Sequence, residues 1–226
     1  MATSNYRTLG ILGFALLLPL VLAAHGVSSA DQQTLADGGL GAYIWIGAKH
    51  MLTGYDHLLF LAGVMFMLQG MRDVVRFITA FTIGHSITLI GATYLGFQVD
   101  EHLIDGVIAL SVVYKGFENL GGFDRLGVRA PNLLAMVFSF GLIHGLGLST
   151  RLQQLGLGTE QVLLKIVSFN VGVELGQILA LVPIVFAIAF WRPKPSYPAF
   201  YKAVNTYLVL AGIGLFVWQM WGYYTA

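Results

Sequence analysis

Long apolar stretches separated by short polar connections make up almost the whole of this 226-residue chain. The first stretch, residues 9–24, follows Arg7 and leads to small residues ending at Ala30, the pattern of a secretory signal cleaved after Ala30. A retained anchor helix is the alternative for the same segment. Six further stretches each approach the roughly 20 residues that a helix needs to cross a bilayer. They lie at about 42–68, 74–96, 103–119, 132–150, 161–190 and 203–225.

This pattern predicts an all-α fold, a polytopic membrane helical bundle with six transmembrane helices after an N-terminal signal segment. We expect residues 1–30 to be the signal peptide and residues 31–226 to form a single transmembrane domain. Composition agrees, because 57% of the residues are hydrophobic and only 10% are charged, against roughly 25% charged in soluble domains. The net charge of +1, without a basic patch, gives no reason to expect nucleic acid as a partner.

Charges in the predicted loops indicate how the bundle is oriented. The connections after the first, third and fifth spans hold seven Lys and Arg residues, whereas the alternate set holds only Arg151. Because positive residues in short loops stay on the cytoplasmic side, the first set is predicted to be cytoplasmic. The expected location is therefore the bacterial inner (cytoplasmic) membrane, with several passes and the mature N-terminus outside.

Titratable side chains lie near the middle of four predicted spans. Asp56 and His57 are central in the first span, His85 in the second and Glu174 in the fifth, and His144 lies about one turn beyond the midpoint of the fourth. Such groups are costly in hydrocarbon and usually mark a functional site. A structural polar network that fixes helix pairing is the alternative.

Spacing restricts the chemistry of these groups. His50 and His57 share one face of a straight helix but are about 10 Å apart along its axis, which favours two stations over one shared ion. Asn170 and Glu174 are neighbours at i and i+4, and Gln177 extends the same stripe. Glu118 has Lys115 one turn before it, as in a helix-end ion pair.

The side chains available as metal ligands limit which ions this site can bind. With no cysteine in the chain, thiolate metal sites and disulfides are excluded. Imidazole with carboxylate suits nickel, cobalt, zinc or copper(II), and it also suits a proton relay without metal. Calcium fits poorly, since that ion prefers oxygen ligands alone.

Five segments, "HMLTGYDHLLFL" (50–61), "TAFTIGHSITL" (79–89), "ALSVVYKGFENL" (109–120), "FGLIHGLGLS" (140–149) and "FNVGVELGQ" (169–177), together resemble the HupE/UreJ family, and more closely its second subgroup. The resemblance implies a helical membrane protein linked to hydrogenase or urease accessory functions, with nickel or cobalt uptake as its activity. Accessory or enzyme-maturation proteins are the implied partners, besides the bilayer and the ion. The family's recurring His and acidic positions fall on His50, Asp56, His57, His85, His144, Glu118 and Glu174.

The sequence therefore predicts a permease for a divalent transition-metal ion, nickel or cobalt before zinc or copper. The predicted metal residues are His50, Asp56, His57, His85, His144 and Glu174, with Asn170, Gln177 and Glu118 as supporting polar groups. The chain has no P-loop, so transport is expected to be passive, proton-coupled or powered by a partner. It also lacks HExxH and GxSxG motifs, so we do not expect an enzyme, and a membrane metalloenzyme is the minority interpretation. The alternatives are a membrane metalloprotein or metal-delivery factor without transport, and a structural or assembly subunit.

Overall fold

A computed structural model describes residues 31, 33–35, 38–68, 70–154 and 161–225, and the predicted signal segment 1–30 lies outside this part of the chain. Residues 31 and 33–35 are helical, and no strand occurs among the described residues. The main helices are α1 (Leu40–Thr53), α2 (Tyr55–Met65), α3 (Met71–Leu95), α4 (Glu101–Asn119), α5 (Gly122–Arg125), α6 (Leu133–Gln154), α7 (Val162–Trp191) and α8 (Tyr197–Thr225). The predicted all-α fold is thus confirmed.

Four helices in the described part of the chain, α3, α6, α7 and α8, are long and apolar enough to cross a membrane. These helices indicate a multi-pass membrane protein. The other two predicted spans differ from this description. The first is divided between α1, with 14 residues, and α2, with 11, and the third is α4, which has 19 residues. The charged residues of α4 are Glu101, Asp105, Lys115 and Glu118. The count of six spans therefore stays a prediction.

The continuous helix expected over 42–68 is wrong at one residue. Gly54 leaves the helical conformation, with φ −75° and ψ 86°. Its backbone N–H still donates to the carbonyl of His50 at 2.9 Å, and its own carbonyl accepts from the N–H of Leu58 at 3.1 Å. The break therefore leaves these backbone groups satisfied while it redirects the chain between α1 and α2.

Two of the closest helix pairs run parallel. In the pair α3–α6, Gly141 packs on the backbone of Phe81, and Gly145 packs on the carbonyl of His85 one turn further along both helices. The pair α1–α7 has the same arrangement, with Gly172 against Ile44 and then Gly176 against Ala48. Glycine has no Cβ, so the two backbones of each pair approach closely, as in small-residue contacts between membrane helices.

The third close pair, α4–α8, is antiparallel, because Gly106 near the start of α4 contacts Met220 near the end of α8. Helix α2 packs against α1, α4, α7 and α8. The relative directions of the three pairs agree with spans that alternate across a membrane. They place the short helix α2, with Asp56 and His57 in its first turn, among four other helices.

Candidate functional site

The break at Gly54 brings two histidines together. In a straight helix His50 and His57 would lie about 10 Å apart along the axis. In the structure their ring centroids are 5.2 Å apart, and the rings meet edge to face at 77°. The separation predicted from spacing is thus wrong, because the axis changes direction between the two residues.

Asp56 orients the ring of His57. The Asp56 Oδ1 atom lies 2.7 Å from His57 Nδ1 and also accepts the backbone N–H of His57 at 2.9 Å. Both side chains are buried. When Asp56 is ionised, Nδ1 carries the proton that it donates, so Nε2 holds the lone pair. Histidines that bind metals commonly use this arrangement, in which a carboxylate fixes the tautomer.

His144 is oriented by a different acceptor. Its Nδ1 lies 2.6 Å from the carbonyl oxygen of Phe140 one turn earlier on α6, and a carbonyl can only accept. The proton is therefore on Nδ1 and the lone pair on Nε2. The Nε2 atom is buried without a hydrogen-bond partner among the described residues. The His144 ring lies 4.5 Å from the His57 ring, so His50, His57 and His144 form a row of three imidazoles, which we call the histidine row.

His85 lies beside the histidine row. Its side chain is buried, and neither ring nitrogen has a hydrogen-bond partner within the described part of the chain. Its ring lies 6.1 Å from the ring of Phe81, which in turn lies 5.1 Å from the ring of His144. The contact of Gly145 with the carbonyl of His85 ties α3 to α6 at this level. Four of the predicted metal residues are thus histidines in one region of the bundle: His57, His85 and His144 are buried, and His50 is partly buried with a buried Nε2 atom. Asp56 bonds to His57.

The three polar residues predicted to share one face of α7, Asn170, Glu174 and Gln177, do not have the same surroundings in the structure. Gly172 and Gly176 face α1, and Glu174 lies on an exposed part of the same helix. Asn170 is buried, and both of its amide atoms lack partners among the described residues. Gln177 is buried and accepts a hydrogen bond from Thr82 of α3 at 3.1 Å. The structure does not bring Glu174 to the histidine row, and its role as a ligand stays a prediction.

Glu118 lies in a separate polar cluster. Its Oε2 atom is 2.6 Å from the Nζ atom of Lys115, so the ion pair suggested by their spacing is present. Asn119 donates through Nδ2 to the backbone carbonyl of Gly63 at 2.8 Å and to Asn205 Oδ1 at 2.6 Å. This cluster joins α4 to α2 and α8.

Two features near the histidines escaped sequence reasoning. Phe60, Phe81 and Phe140 are buried and form an aromatic layer against His144, with Phe60 and Phe140 4.9 Å apart. Nothing in an apolar sequence distinguishes such a layer from ordinary core. Arg151, which is predicted from the sequence to lie in a loop, belongs to α6 and pairs with Asp105 at 2.5 Å and with Glu101 at 3.3 Å.

A family model described as HupE / UreJ protein matches residues 28–226. The chain belongs to the HupE / UreJ family. The resemblance predicted from five short segments is thereby confirmed, and the match includes every helix from α1 to α8. No curated protein and no solved structure matches the chain.

The geometry of this HupE / UreJ chain limits what its histidines can do. Among the described residues, no three His, Asp or Glu side chains converge to hold a metal ion. The rings instead meet in pairs, from His50 to His57 and from His57 to His144. An arrangement of this kind offers an ion one or two nitrogen ligands at a time, whereas structural metal sites surround the ion with four.

Proposed function

We propose that this HupE / UreJ protein is an integral membrane permease for a divalent transition-metal ion, nickel or cobalt in the first place. The observation that supports this proposal is the histidine row. It brings together imidazole rings from three helices, α1, α2 and α6, inside an apolar bundle. Neutral imidazole is a ligand for nickel, cobalt, zinc and copper. The family is associated with nickel or cobalt transport or with accessory functions, which favours the first two ions.

In this proposal His57 and His144 contact the ion through Nε2. Asp56 and the carbonyl of Phe140 hold the Nδ1 protons, so each ring presents its lone pair in a fixed direction. His50 adjoins His57 at the predicted outer end of the row, and its buried Nε2 atom has no partner in the described part of the molecule. His85 is the fourth histidine, and Asn170 and Gln177 are supporting polar groups.

The small number of histidine nitrogens that can reach one ion favours transport of the ion over permanent binding. A transported ion must be bound well enough to enter and weakly enough to leave, often by moving between adjacent sites. Pairwise imidazole contacts meet this requirement better than a closed cage of four ligands. The family is also a transporter or accessory family, which argues against an enzyme.

Uptake into proteoliposomes tests the proposal. Purified protein is reconstituted, and accumulation of nickel, cobalt, zinc and copper is measured in parallel. We expect nickel or cobalt to accumulate, and His57→Ala and His144→Ala to lower the rate by about tenfold or more, since loss even of a group that only orients a ligand costs about 10- to 100-fold. His102→Ala is the matched control, because His102 bonds to Gln219 away from the histidine row. Elution as a single folded species is required of each variant.

The other functions give different results in this assay. Tight stoichiometric metal binding without flux would overturn the permease and favour a metal-delivery factor or a membrane metalloprotein. Absence of both binding and flux in folded protein would leave a structural or assembly subunit. Glu174→Ala tests the remaining predicted ligand, since loss of uptake in this variant would add Glu174 to the site despite its exposed position.

A further inference from the structure

A buried ion pair lies apart from the histidines, toward the predicted cytoplasmic end of α4. The side chain of Lys115 has no exposed surface, that of Glu118 is 6% exposed, and their charged atoms are 2.6 Å apart. Burial of two charges costs several kcal/mol for each ion, and pairing offsets this cost only when the geometry is good. Such pairs within membrane helices commonly mark ion or proton pathways.

The ion pair is in direct contact with the helix that bears His57. The aliphatic part of Lys115 packs on Gly63 of α2, where an added Cβ would lie 2.8 Å from Lys115 Cγ. Asn119, next to Glu118, donates to the carbonyl of the same Gly63. His57 lies six residues earlier on α2, about 9 Å along the helix axis. A change at the ion pair therefore reaches His57 through one short helix.

The aromatic layer separates the two polar groups. Phe60 is fully buried and lies on α2 between His57 and Gly63. Its ring is close to those of Phe81, Phe140 and His144. An ion at the histidine row therefore meets hydrophobic rings on its way toward Lys115 and Glu118, and hydrophobic constrictions of this kind act as gates.

Tyr201 connects the neighbourhood of the ion pair with a surface cavity at the predicted cytoplasmic end. The Tyr201 hydroxyl donates at 2.8 Å to the backbone carbonyl of Asn119, the residue that follows Glu118. Tyr201 also belongs to the wall of a surface cavity of about 610 Å³. The full lining of this cavity is Phe66, Met67, Arg192, Tyr197 and Tyr201.

We propose that Glu118 is the proton-binding site that couples metal movement to a pH gradient, an inference that rests on the proposed permease function. In the resting state the Glu118 carboxylate is ionised and neutralises Lys115. When Glu118 takes up a proton, the ammonium of Lys115 loses its counter-charge and the pair separates. Because Lys115 packs on Gly63, α2 shifts and moves Phe60 and His57. Release of the proton from Glu118 restores the pair.

The surroundings of Glu118 fit this role. Within the described part of the chain, the titratable groups that face it are Lys115 and Tyr114 of its own helix and Tyr201 of α8. Helix α2 presents the backbone of Gly63, and α5 and α6 present the rings of Phe123 and Phe140 against Tyr114. The Tyr114 hydroxyl and the Asn119 Oδ1 atom are buried without hydrogen-bond partners in the described structure, so polar groups remain for a rearranged pair.

The test compares two movements of radiolabelled nickel in proteoliposomes. One is exchange at equal pH on both sides, and the other is net uptake driven by an imposed pH difference. We expect wild-type protein to perform both. Glu118→Gln, which cannot titrate, should retain exchange and lose the response to the pH difference. Asp124→Asn, which removes an exposed carboxylate on the same predicted side, should behave as wild type.

The other outcomes would overturn either the coupling role of Glu118 or the permease function. A full pH response in Glu118→Gln, or loss of exchange together with the response, would overturn the coupling role. If wild-type protein performs exchange but its net uptake does not respond to the pH difference, the coupling role is overturned and the permease function stands. If wild-type protein performs no exchange, both are overturned. Glu118→Asp keeps a titratable carboxylate and should keep the response. If Glu118→Gln does not fold, absence of the response in Glu118→Asp overturns the inference.

Discussion

His57 and His144 present equivalent nitrogens but depend on different acceptors. The Nδ1 proton of His57 goes to a carboxylate, whereas that of His144 goes to a backbone carbonyl. A carboxylate acceptor carries a full negative charge and makes the imidazole a stronger electron donor. His57 should therefore be the tighter of the two ligands, and Asp56 contributes to binding through His57 without itself contacting the ion.

Substitution of Asp56 measures that contribution. We expect Asp56→Asn to lower nickel affinity by about 10- to 100-fold, because the amide keeps the shape of the carboxylate and removes its charge. Equilibrium dialysis of detergent-purified protein provides the measurement, and Asp124→Asn serves as the control on an exposed carboxylate. Equal affinities for Asp56→Asn and wild type would contradict the orienting role.

The sequence predicted the depth of the polar residues better than their direction. Position along an apolar stretch indicates how far a residue lies from a membrane surface, and this was sufficient to group His57, His85 and His144. Which face of a helix is buried depends on the neighbouring helix that it packs against, and the apolar pattern does not indicate that neighbour. The glycines of α7 contact α1, which leaves Glu174 on an exposed face although its depth is similar.

Among the helices, α2 determines most of the site geometry. It has only 11 residues, begins directly after Gly54 and bears Asp56 and His57 in its first turn. The sequence did not predict where it begins, because the apolar pattern continues from α1 across Gly54 and one glycine is compatible with an unbroken membrane helix. Only the packing of α2 among other helices distinguishes the two cases.

Gly54 is the position at which this helix start can be tested. A Cβ on residue 54 would lie 2.8 Å from His57 Nδ1 and 3.0 Å from the carbonyl oxygen of His50. We expect Gly54→Ala to destabilise the fold by about 1–3 kcal/mol and to weaken nickel binding, since the His57 ring must move. Thermal unfolding in detergent and metal titration provide the two measurements.

Gly91→Ala is the control for this experiment, because a Cβ at position 91 meets no atom within 4 Å. Alanine is a better helix former than glycine, so this variant should be as stable as wild type or slightly more stable. Equal stability and equal metal affinity of Gly54→Ala and Gly91→Ala would show that the start of α2 does not depend on a missing Cβ.

For the molecule as a whole, the relative directions of the helices agree with the alternating passes predicted from loop charges. The parallel pairs α1–α7 and α3–α6 and the antiparallel pair α4–α8 are those expected when successive spans alternate. The side that faces the cytoplasm is predicted from the distribution of Lys and Arg.

Labelling of introduced cysteines tests this orientation. The chain has no cysteine, so each single substitution provides one reactive thiol without further engineering. In intact cells, a membrane-impermeant maleimide should label Gln98→Cys, which is exposed in the predicted outer loop between α3 and α4, and should not label Asp124→Cys in α5. The reverse pattern would invert the bundle, and labelling of both would require a different number of passes between these positions.

The Lys115–Glu118 pair has a consequence for how the protein is made. A lone Lys or Glu makes insertion of a helix from the translocation channel into lipid unfavourable. Helix α4 is synthesised before α8, which supplies Tyr201 and Asn205 to the same cluster. Because Lys115 and Glu118 are three residues apart on one helix, α4 neutralises these two charges by itself. Neutralisation of Lys115 and Glu118 during insertion of α4 therefore does not depend on α8.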